Sequence, residues 1–317
     1  MSQRLAKIND AICRESNRAD RLSLRSKDLA VRLWKNNIGI LSTAFSGGNI
    51  VYHTYAGGIV DGVMRTAEEN SYNVTVFTRV WTNALECTEW LREYPCDGLV
   101  ILAPNIHSDL VETVKLEQFP AVATSADAMV LGIPTVDSDN DMGIVLAVEH
   151  LIGLGHRKIA HLAGTMGQTS SIIRRDAFFC VMAKHGLEVP DQYVLEPGYF
   201  KDKAYVYALA LLRRSDRPTA LCCANDDIAL GAMQAAKELG IGIPDQLSIV
   251  GYDDTVIGRF ADPSLTSIRQ PTADMGRLAV NLLLQQINGQ PGEVRTHFLA
   301  PEIIVRNSSN AAPLCAK

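Results

Sequence analysis

The sequence lacks the features that mark secreted, membrane-spanning and disulfide-linked proteins. No apolar run reaches the roughly 18 residues that a membrane-spanning helix needs, and no segment has the charged start and apolar stretch of a signal peptide. The seven cysteines are odd in number and form no CxxC pair, so we expect neither a disulfide framework nor a zinc site. These absences favour a cytoplasmic protein with reduced thiols and no membrane association.

The sequence also lacks the short motifs of the common enzyme classes. It contains no Gly-x-Ser-x-Gly, no Walker loop and no His-Glu-x-x-His. The glycine-rich residues 46–49 carry no phosphate-loop lysine and read as a flexible loop. We therefore expect a protein that is not an enzyme, with no catalytic residues, no metal and no cofactor.

Positive charge is scarce outside the N-terminal segment. The net charge is -5, which argues against a chain that binds nucleic acid along its whole surface. Residues 1–35, however, contain nine lysines and arginines and four acidic residues, so this segment is +5 and the remainder is -10. The sequence thus predicts a basic N-terminal arm on an acidic body.

From residue 37 onward, short apolar runs alternate with longer stretches of helical periodicity. We predict strands at 37–41, 74–77, 98–102, 121–124, 158–162, 220–223 and 247–250. We predict helices at 54–70, 82–92, 108–117, 142–154, 172–185, 204–213, 227–239 and 272–287. Alternating strands and helices indicate parallel sheets covered on both faces, and strands that are apolar throughout fit that burial.

The strands fall into two sets, which predicts an α/β protein with two doubly wound parallel-sheet lobes, a hinge and a cleft between the lobes. We expect the first lobe over residues 36–164 plus about 272–299, and the second over 165–271 plus about 300–309. The lobes would close about crossovers near Gly164, Gln270 and Ala300. Residues 310–317 read as an unstructured tail.

Five segments in the second half carry a family resemblance. Residues 149–160 read EHLIGLGHRKIA, residues 221–232 read LCCANDDIALGA, and residues 243–254 read IPDQLSIVGYDD. Residues 262–271 read DPSLTSIRQP, and residues 302–306 read EIIVR. In this order and spacing they resemble the LacI/GalR family of transcriptional regulators, and the resemblance covers about residues 37–308.

The resemblance implies a type I periplasmic-binding-protein-like fold that binds a sugar or related small metabolite in the interlobe cleft. It also implies a homodimer in which occupancy of the cleft changes affinity for operator DNA. Whether the effector induces or co-represses is left open.

Arg174 and Asn225 match effector contacts of the family. A guanidinium at Arg174 would fork two hydrogen bonds to vicinal hydroxyls or a carboxylate, whereas the alternative is a solvated surface arginine. The amide of Asn225 both donates and accepts, which suits a hydroxyl, and the alternative is a plain N-cap. Both would hold if Asp226 provides the cap.

Asp253 is the third match. A carboxylate accepts two charge-assisted bonds and so clamps a pair of sugar hydroxyls, and we expect its neighbour Asp254 to cap or to pack within the lobe. Phe200 lies where relatives stack an aromatic ring on a sugar, with core packing as the alternative. Gln270 lies in a crossover, with a hinge hydrogen bond as the alternative.

In the first lobe, Phe45 and Tyr55 flank the loop after the first strand, where relatives place an aromatic residue over the ligand. The stretch between them is longer than usual in the family. Ser125-Ala126 also replaces the family's frequent Asp-Arg, which removes one common sugar contact. The longer stretch points to an unusual ligand.

The family's repressors begin with a helix-turn-helix headpiece, and residues 1–35 contain no such run. Arg18, Arg21, Arg25 and Arg32 would share one face of a helix and contact phosphates; the alternative is a solvated linker helix. Whether the headpiece is missing from this sequence or the protein senses ligand without binding DNA itself is left open.

We therefore expect the ligand-sensing module of a LacI/GalR-type regulator. The alternative from another class is a solute-binding protein of a transporter, which the same fold allows. An enzyme that uses the cleft carboxylates is the third hypothesis, although adjacent carboxylates do not flank a scissile bond as glycoside hydrolysis requires.

Overall fold

The computed structural model describes residues 36–42, 54–77, 86, 88–90, 96–104, 109–290 and 293–313. Phe45 and the predicted basic arm at Arg18, Arg21, Arg25 and Arg32 lie outside these residues. The predicted helix at 82–92 lies mostly outside them too, although Glu86 and residues 88–90 are helical.

Six parallel strands form the first sheet in the order β11-β5-β4-β3-β1-β2. The strands are β1 (Asn37–Ser42), β2 (Asn73–Phe77), β3 (Gly98–Leu102), β4 (Ala121–Thr124), β5 (Thr135–Ser138) and β11 (Thr296–Leu299). The sheet centre is apolar in sequence and wholly buried, as β3 shows along its whole length. Burial on both faces explains why these strands read as continuous apolar runs.

The second sheet has the order β12-β10-β9-β8-β6-β7, and within it only the β10–β12 pair is antiparallel. Its strands are β6 (Ile159–Leu162), β7 (Val194–Leu195), β8 (Ala220–Cys223), β9 (Ser248–Tyr252), β10 (Thr266–Arg269) and β12 (Glu302–Ile304). The predicted fold class, two doubly wound and mostly parallel sheets, is confirmed.

Helices cover both faces of each sheet. They are α1 (Thr54–Glu69), α2 (Asp109–Leu116), α3 (Ala128–Leu131), α4 (Asn140–Gly153), α5 (Thr169–Lys184), α6 (Lys201–Leu212), α7 (Asp226–Glu238), α8 (Val256–Arg259) and α9 (Thr272–Ile287). On the first sheet, α1 and α9 build one core and α2 and α3 the other. On the second sheet, α6 and α7 cover one face and α4 and α5 the opposite face.

The chain crosses between the sheets earlier than the sequence predicted. The predicted lobe boundary near Gly164 is wrong, because β6 pairs with β8 of the second sheet. The reason is α4, whose buried Ile144, Val148 and Leu151 pack in the second lobe's core with Phe178. The first crossover therefore follows β5, and the other two follow β10 and β11.

The predicted unstructured tail also needs correction at its start. The carbonyl of Asn310 lies 3.1 Å from Nε2 of His156, and the amide of Ala312 donates to the carbonyl of Leu154 at 2.8 Å. These bonds tie residues 310–312 to the second lobe. Residues 314–317 lie outside the described part of the chain.

Candidate functional site

A cavity of about 340 Å³ lies between the two sheets. Parallel strands carry ligands beyond their carboxyl ends, and the cavity is lined there by residues that follow β3, β4, β6, β8, β9 and β10. Its lining comprises Tyr55, Ala103, Ser125, Thr165, Gln168, Ser170, Arg174, Tyr199, Phe200, Lys201, Asp202, Asn225, Asp227, Asp253 and Gln270. Six of the seven predicted ligand contacts are thus brought together, and the seventh, Phe45, lies outside the described residues.

Arg174 is buried in the cavity wall, so the solvated-surface alternative is wrong. From α5 its Nε donates to Oδ1 of Asn140 at 2.7 Å, and its Nη1 donates to the carbonyl of Ala224 at 2.6 Å. The guanidinium carbon lies 3.6 Å from the ring centroid of Tyr252, a cation–π contact. Burial lowers the pKa of Arg174, but neighbouring acidic groups, Tyr252 foremost, outweigh it and raise the pKa above its ordinary value. The guanidinium is therefore a permanent, oriented positive charge.

Asp253 directly follows β9 and faces the cavity in an unusual backbone conformation, with φ at 107°. Its Oδ1 accepts a hydrogen bond from Nε2 of Gln270 at 2.6 Å. Burial raises the pKa of Asp253 to about 8, while the positive charge of Arg174 acts in the opposite direction. A raised pKa and a non-glycine residue at positive φ, both in a cleft, are features that functional sites concentrate.

Asn225 caps a helix and also lies in the cavity wall, where the ligand role predicted from the sequence requires it. Its Oδ1 accepts from the amide of Ile228 at 2.8 Å and so caps α7, while the residue also lines the cavity. The arrangement in which Asp226 would provide the cap and leave Asn225 free is not the one observed. Asp226 is buried and accepts from the amide of Thr255 and the hydroxyl of Ser267, at 2.6 Å each, so it ties β10 and α8 to the start of α7.

Three residues of the lining hold buried polar atoms that make no hydrogen bond within the described residues. They are the hydroxyl of Tyr55, the hydroxyl of Ser125 and Oε1 of Gln270. Burial and then the charge of Asp137 raise the pKa of Tyr55, so this hydroxyl stays protonated. A buried polar atom without a partner calls for one, and a ligand in the cavity would supply it.

Phe200 lies at the cavity rim, just before α6, and is 59% exposed. The core-packing alternative is therefore wrong. Nζ of Lys203 lies 4.9 Å from the centroid of its ring. An exposed aromatic face at the rim can cover a ligand after it enters.

A buried hydrogen-bond chain that the sequence did not reveal joins the two lobes. Nδ2 of Asn140 donates to Oδ2 of Asp137 on β5 at 2.9 Å, and Oδ1 of Asn140 accepts from Arg174. Burial raises the pKa of Asp137 to about 7, whereas Arg174 lowers it. Asn140 thus connects the first sheet directly to the cavity's arginine across the first crossover.

Comparison with known proteins shows which family has this sequence and architecture. The model of the periplasmic binding protein-like domain matches residues 148–309. The HTH-type transcriptional repressor CytR of Escherichia coli (strain K12) is 30% identical over 257 residues, which cover 80% of this chain and 75% of CytR. The chain belongs to the LacI family of transcriptional regulators.

One further relative and one solved structure show how similar the sequence and the fold are to those of other LacI-family proteins. The HTH-type transcriptional repressor PurR of Haemophilus influenzae (strain PittEE) is 33% identical over 224 residues, which span 69% of this chain but 66% of PurR. A solved structure, the lac repressor dimer bound to operator and the anti-inducer ONPF, superposes with a TM-score of 0.78 at 25% identity. That superposition covers 90% of this chain and 98% of the lac repressor chain.

The region that matches the periplasmic binding protein-like domain contains only some of the residues that line the cavity of this LacI-family chain. Arg174, Asn225, Asp253 and Gln270 fall within residues 148–309, whereas the first-lobe Tyr55 lies outside them. The lobe that carries the five motifs thus also carries the acidic and basic side chains that line the described part of the cavity.

Some lining residues escaped the sequence analysis. Tyr199 accepts a hydrogen bond from the hydroxyl of Ser171 at 2.7 Å and lines the cavity beside Phe200. Its position between Pro197-Gly198 and the start of α6 could have identified it as a loop residue near the cavity. Lys201, Asp202 and Asp227 gave no such signal, because charged residues in first helical turns are ordinary.

Asp254 takes no part in the cavity. Its buried carboxylate pairs with Arg259, Arg269 and Arg306 at 2.9, 2.7 and 2.5 Å. Burial raises the pKa of Asp254, but its arginine partners lower it more, so the net pKa lies below the ordinary value. The carboxylate thus joins α8, β10 and the segment after β12 within the second lobe.

The described residues offer neither a cluster suited to a metal ion nor a helix suited to a membrane. No group of three or more His, Cys, Asp or Glu side chains among them is arranged to hold a metal ion. No helix in the described part of the chain has the length and apolar character needed to span a bilayer.

Proposed function

We propose that this chain is the ligand-sensing module of a LacI-type regulator, which binds a small metabolite in the interlobe cavity and thereby changes the protein's affinity for operator DNA. The observation that carries the proposal is the convergence of Arg174, Asp253, Asn225 and Gln270 on one cavity, with aromatic residues beside them. A mostly preformed cleft with a few convergent polar groups is the usual form of a small-molecule site.

The effector class that fits this lining best is a sugar or sugar derivative. Asp253 supplies an acceptor for hydroxyl pairs, Asn225 supplies amide donors, and Phe200 supplies an apolar face. We infer that the effector is bound and released unchanged, that the protein is a cytoplasmic homodimer, and that DNA is contacted through a headpiece N-terminal to the first lobe. Recovery of a converted product from a bound ligand would contradict the first of these inferences.

A thermal-shift screen tests the ligand part of the proposal. The panel holds D-ribose, D-xylose, D-glucose, D-galactose, cellobiose, sugar acids, adenosine and hypoxanthine. A ligand at a hundred times its dissociation constant adds about 2.7 kcal/mol to the free energy of unfolding, enough to raise the melting temperature by several degrees. A panel in which no compound raises the melting temperature would contradict the proposal.

Variants locate the binding in this cavity. Arg174→Ala removes a charged hydrogen-bond donor, and Asp253→Ala removes a buried carboxyl group that hydroxyls of a ligand can bond, so we expect affinity to fall roughly tenfold to a hundredfold in each case. Arg175→Ala is the matched control, because Arg175 is the next residue on α5, pairs with Asp176 and does not line the cavity. Isothermal titration of the three variants should leave only the control with wild-type affinity.

The DNA part is tested with the full-length gene product. Genomic fragments that it retains are sequenced with and without the ligand found by the screen. Ligand-dependent retention of specific fragments supports a regulator. Ligand binding without any DNA retention would instead favour a solute-binding protein.

A further inference from the structure

Asn140 is not among the described residues that line the cavity, yet its side chain is bonded to the arginine in the cavity wall. It is the first residue of α4 and is 1% exposed. Its Oδ1 accepts from Nε of Arg174 at 2.7 Å, while its Nδ2 donates to Oδ2 of Asp137 at 2.9 Å and to the carbonyl of Ser138 at 3.0 Å. A donor on one side and acceptors on the other therefore hold the amide in one orientation.

The guanidinium of Arg174 is fixed on three sides. Nε donates to Asn140, Nη1 donates to the carbonyl of Ala224 at 2.6 Å, and the ring centroid of Tyr252 lies 3.6 Å from the guanidinium carbon. Nη2 makes no hydrogen bond within the described residues. Because the donors of an arginine lie in one rigid plane, bonds at Nε and Nη1 also set where Nη2 points. Nη2 is thus the donor left for a ligand.

Of these three described contacts, only the one with Asn140 also reaches the first lobe. Ala224 directly follows β8 and Tyr252 ends β9, so both belong to the lobe that carries Arg174 itself. Asn140 is instead bonded to Asp137 on β5 of the first sheet. Burial raises the pKa of Asp137, whereas the positive charge of Arg174 lowers it, so the guanidinium and this carboxyl group attract each other. Without Asn140, Asp137 would compete with a ligand for the guanidinium.

We propose that Asn140 is a positioning residue for effector binding, which holds Arg174 so that Nη2 is free for the effector and which ties that orientation to the first lobe. This inference rests on the proposed function, because Asn140 acts on the effector only through Arg174. An asparagine amide accepts from the guanidinium and donates to the carboxyl group at once, whereas a carboxylate only accepts and a leucine does neither. An arginine oriented in advance needs less ordering when the effector binds, which favours affinity.

A double-mutant cycle separates positioning from a general role in the fold. Asn140→Leu keeps the size of the side chain but removes both hydrogen-bonding groups, so affinity for the sugar or nucleoside that shifts the wild type most should fall roughly three- to tenfold. In an Arg174→Ala background the same substitution should change affinity by less than about twofold, because the group through which it acts is gone. Isothermal titration measures both steps, and an equal loss of affinity in both backgrounds would overturn the inference.

The matched control for stability is Asp139→Ala. Asp139 directly precedes Asn140, and its Oδ1 caps α4 by accepting from the amide of Met142 at 2.9 Å, but it makes no hydrogen bond to Arg174. Loss of this cap should lower the melting temperature and leave affinity at the wild-type value. Asn140→Asp keeps an acceptor for Arg174 and can share a proton with Asp137, so it should bind within about threefold of the wild type. Asn140→Ser, whose single hydroxyl cannot span both neighbours, repeats the cycle if the leucine variant does not fold.

The Nε–H group of Arg174 gives a readout that needs no ligand. In nitrogen-15 arginine-labelled protein its proton, assigned from its absence in Arg174→Lys, should resonate downfield because of the charge-assisted bond to Asn140. The signal should move upfield in Asn140→Leu and stay in place in Asp139→Ala, and an unmoved signal in Asn140→Leu would overturn the inference whichever compounds bind. Equal losses of affinity in both backgrounds overturn this inference alone, whereas absence of binding by the wild type to every compound overturns the proposed function and this inference with it.

Discussion

At the scale of single residues, the cavity is built from side chains that stabilise the fold and line the cavity at the same time. Arg174 bonds Asn140 and Ala224 before any ligand arrives, and Asn225 caps α7 while it lines the cavity. These hydrogen bonds within the protein orient the polar groups before a ligand binds. Less ordering is then left to the moment of binding, which favours affinity.

The raised pKa of Asp253 predicts how the free energy of unfolding depends on pH. Its pKa is about 8 in the folded protein because of burial, whereas in the unfolded chain it is near the ordinary 3.8. Between about pH 4 and pH 8 the folded state binds more protons than the unfolded state, so stability contributed by this group falls as the pH rises. Asp253→Asn cannot ionise, and its stability relative to the wild type should therefore increase over that window.

Urea unfolding of both proteins at pH values from 4.5 to 8.5 measures this difference. Asp137 and Asp226 also have raised pKa values, owing to burial, and both are present in the two proteins, so the comparison isolates Asp253 together with its electrostatic interaction with Asp226. Asp141→Asn, which alters an exposed carboxylate on α4, controls for the loss of one charge. Parallel stability curves for wild type and Asp253→Asn would show that Asp253 is ionised at neutral pH.

At the scale of elements, the first lobe depends on the close approach of α1 and α9. A Cβ added at Gly62 would lie 2.1 Å from the carbonyl oxygen of Ala273, and one added at Gly276 would lie 2.2 Å from that of Ile59. Contacts with backbone oxygen cannot be relieved by a side-chain rotation. The two glycines therefore set the distance between the helices, and α9 begins directly after the crossover at Gln270.

Gly62→Ala should lower the free energy of unfolding by about 1–3 kcal/mol, since the helices must separate. Gly57→Ala on the same helix is its matched control, because a Cβ there meets no atom of the described residues within 4 Å. Alanine at that position should stabilise the protein by about 0.5–1 kcal/mol through its higher helix propensity. Denaturant unfolding of the two variants checks both signs, and equal effects would refute close packing as the cause.

At the scale of the whole molecule, three crossovers join two lobes that both line one cavity. A ligand that contacts Tyr55 and Ser125 on one side and Arg174 and Asp253 on the other binds best when both walls are near it. It shifts the lobes toward closure by its difference in affinity for the closed and open arrangements.

Small-angle scattering should therefore show a smaller radius of gyration when the wild type is saturated with the compound found by the thermal-shift screen. At the same concentration, Arg174→Ala should contract less than the wild type because it binds more weakly, whereas Arg175→Ala should contract like the wild type. An unchanged radius in a wild type shown by titration to be saturated would mean that the lobes do not move.

Much of the fold could be predicted because its signals are local. The strand β3 was predicted with the bounds the structure has, as was α9, since apolar runs and helical periodicity lie within each element. The strand β5 was missed because it reads Thr-Val-Asp-Ser, although it is fully buried. Its polar side chains are accommodated by bonds such as that between Asp137 and Asn140.

The sequence by itself determined the family, the alternation of strands and helices, and the polar residues placed after strand ends. These follow from patterns within short segments, in which neighbouring residues set the conformation and motif order sets the resemblance. The tertiary structure alone decided that β6 joins the second sheet, that Asn225 rather than Asp226 caps α7, and that the Ser125 hydroxyl is left unpartnered. The physical reason is that sheet membership, burial and hydrogen-bond partners depend on residues far apart in the chain, and only packing brings those residues together.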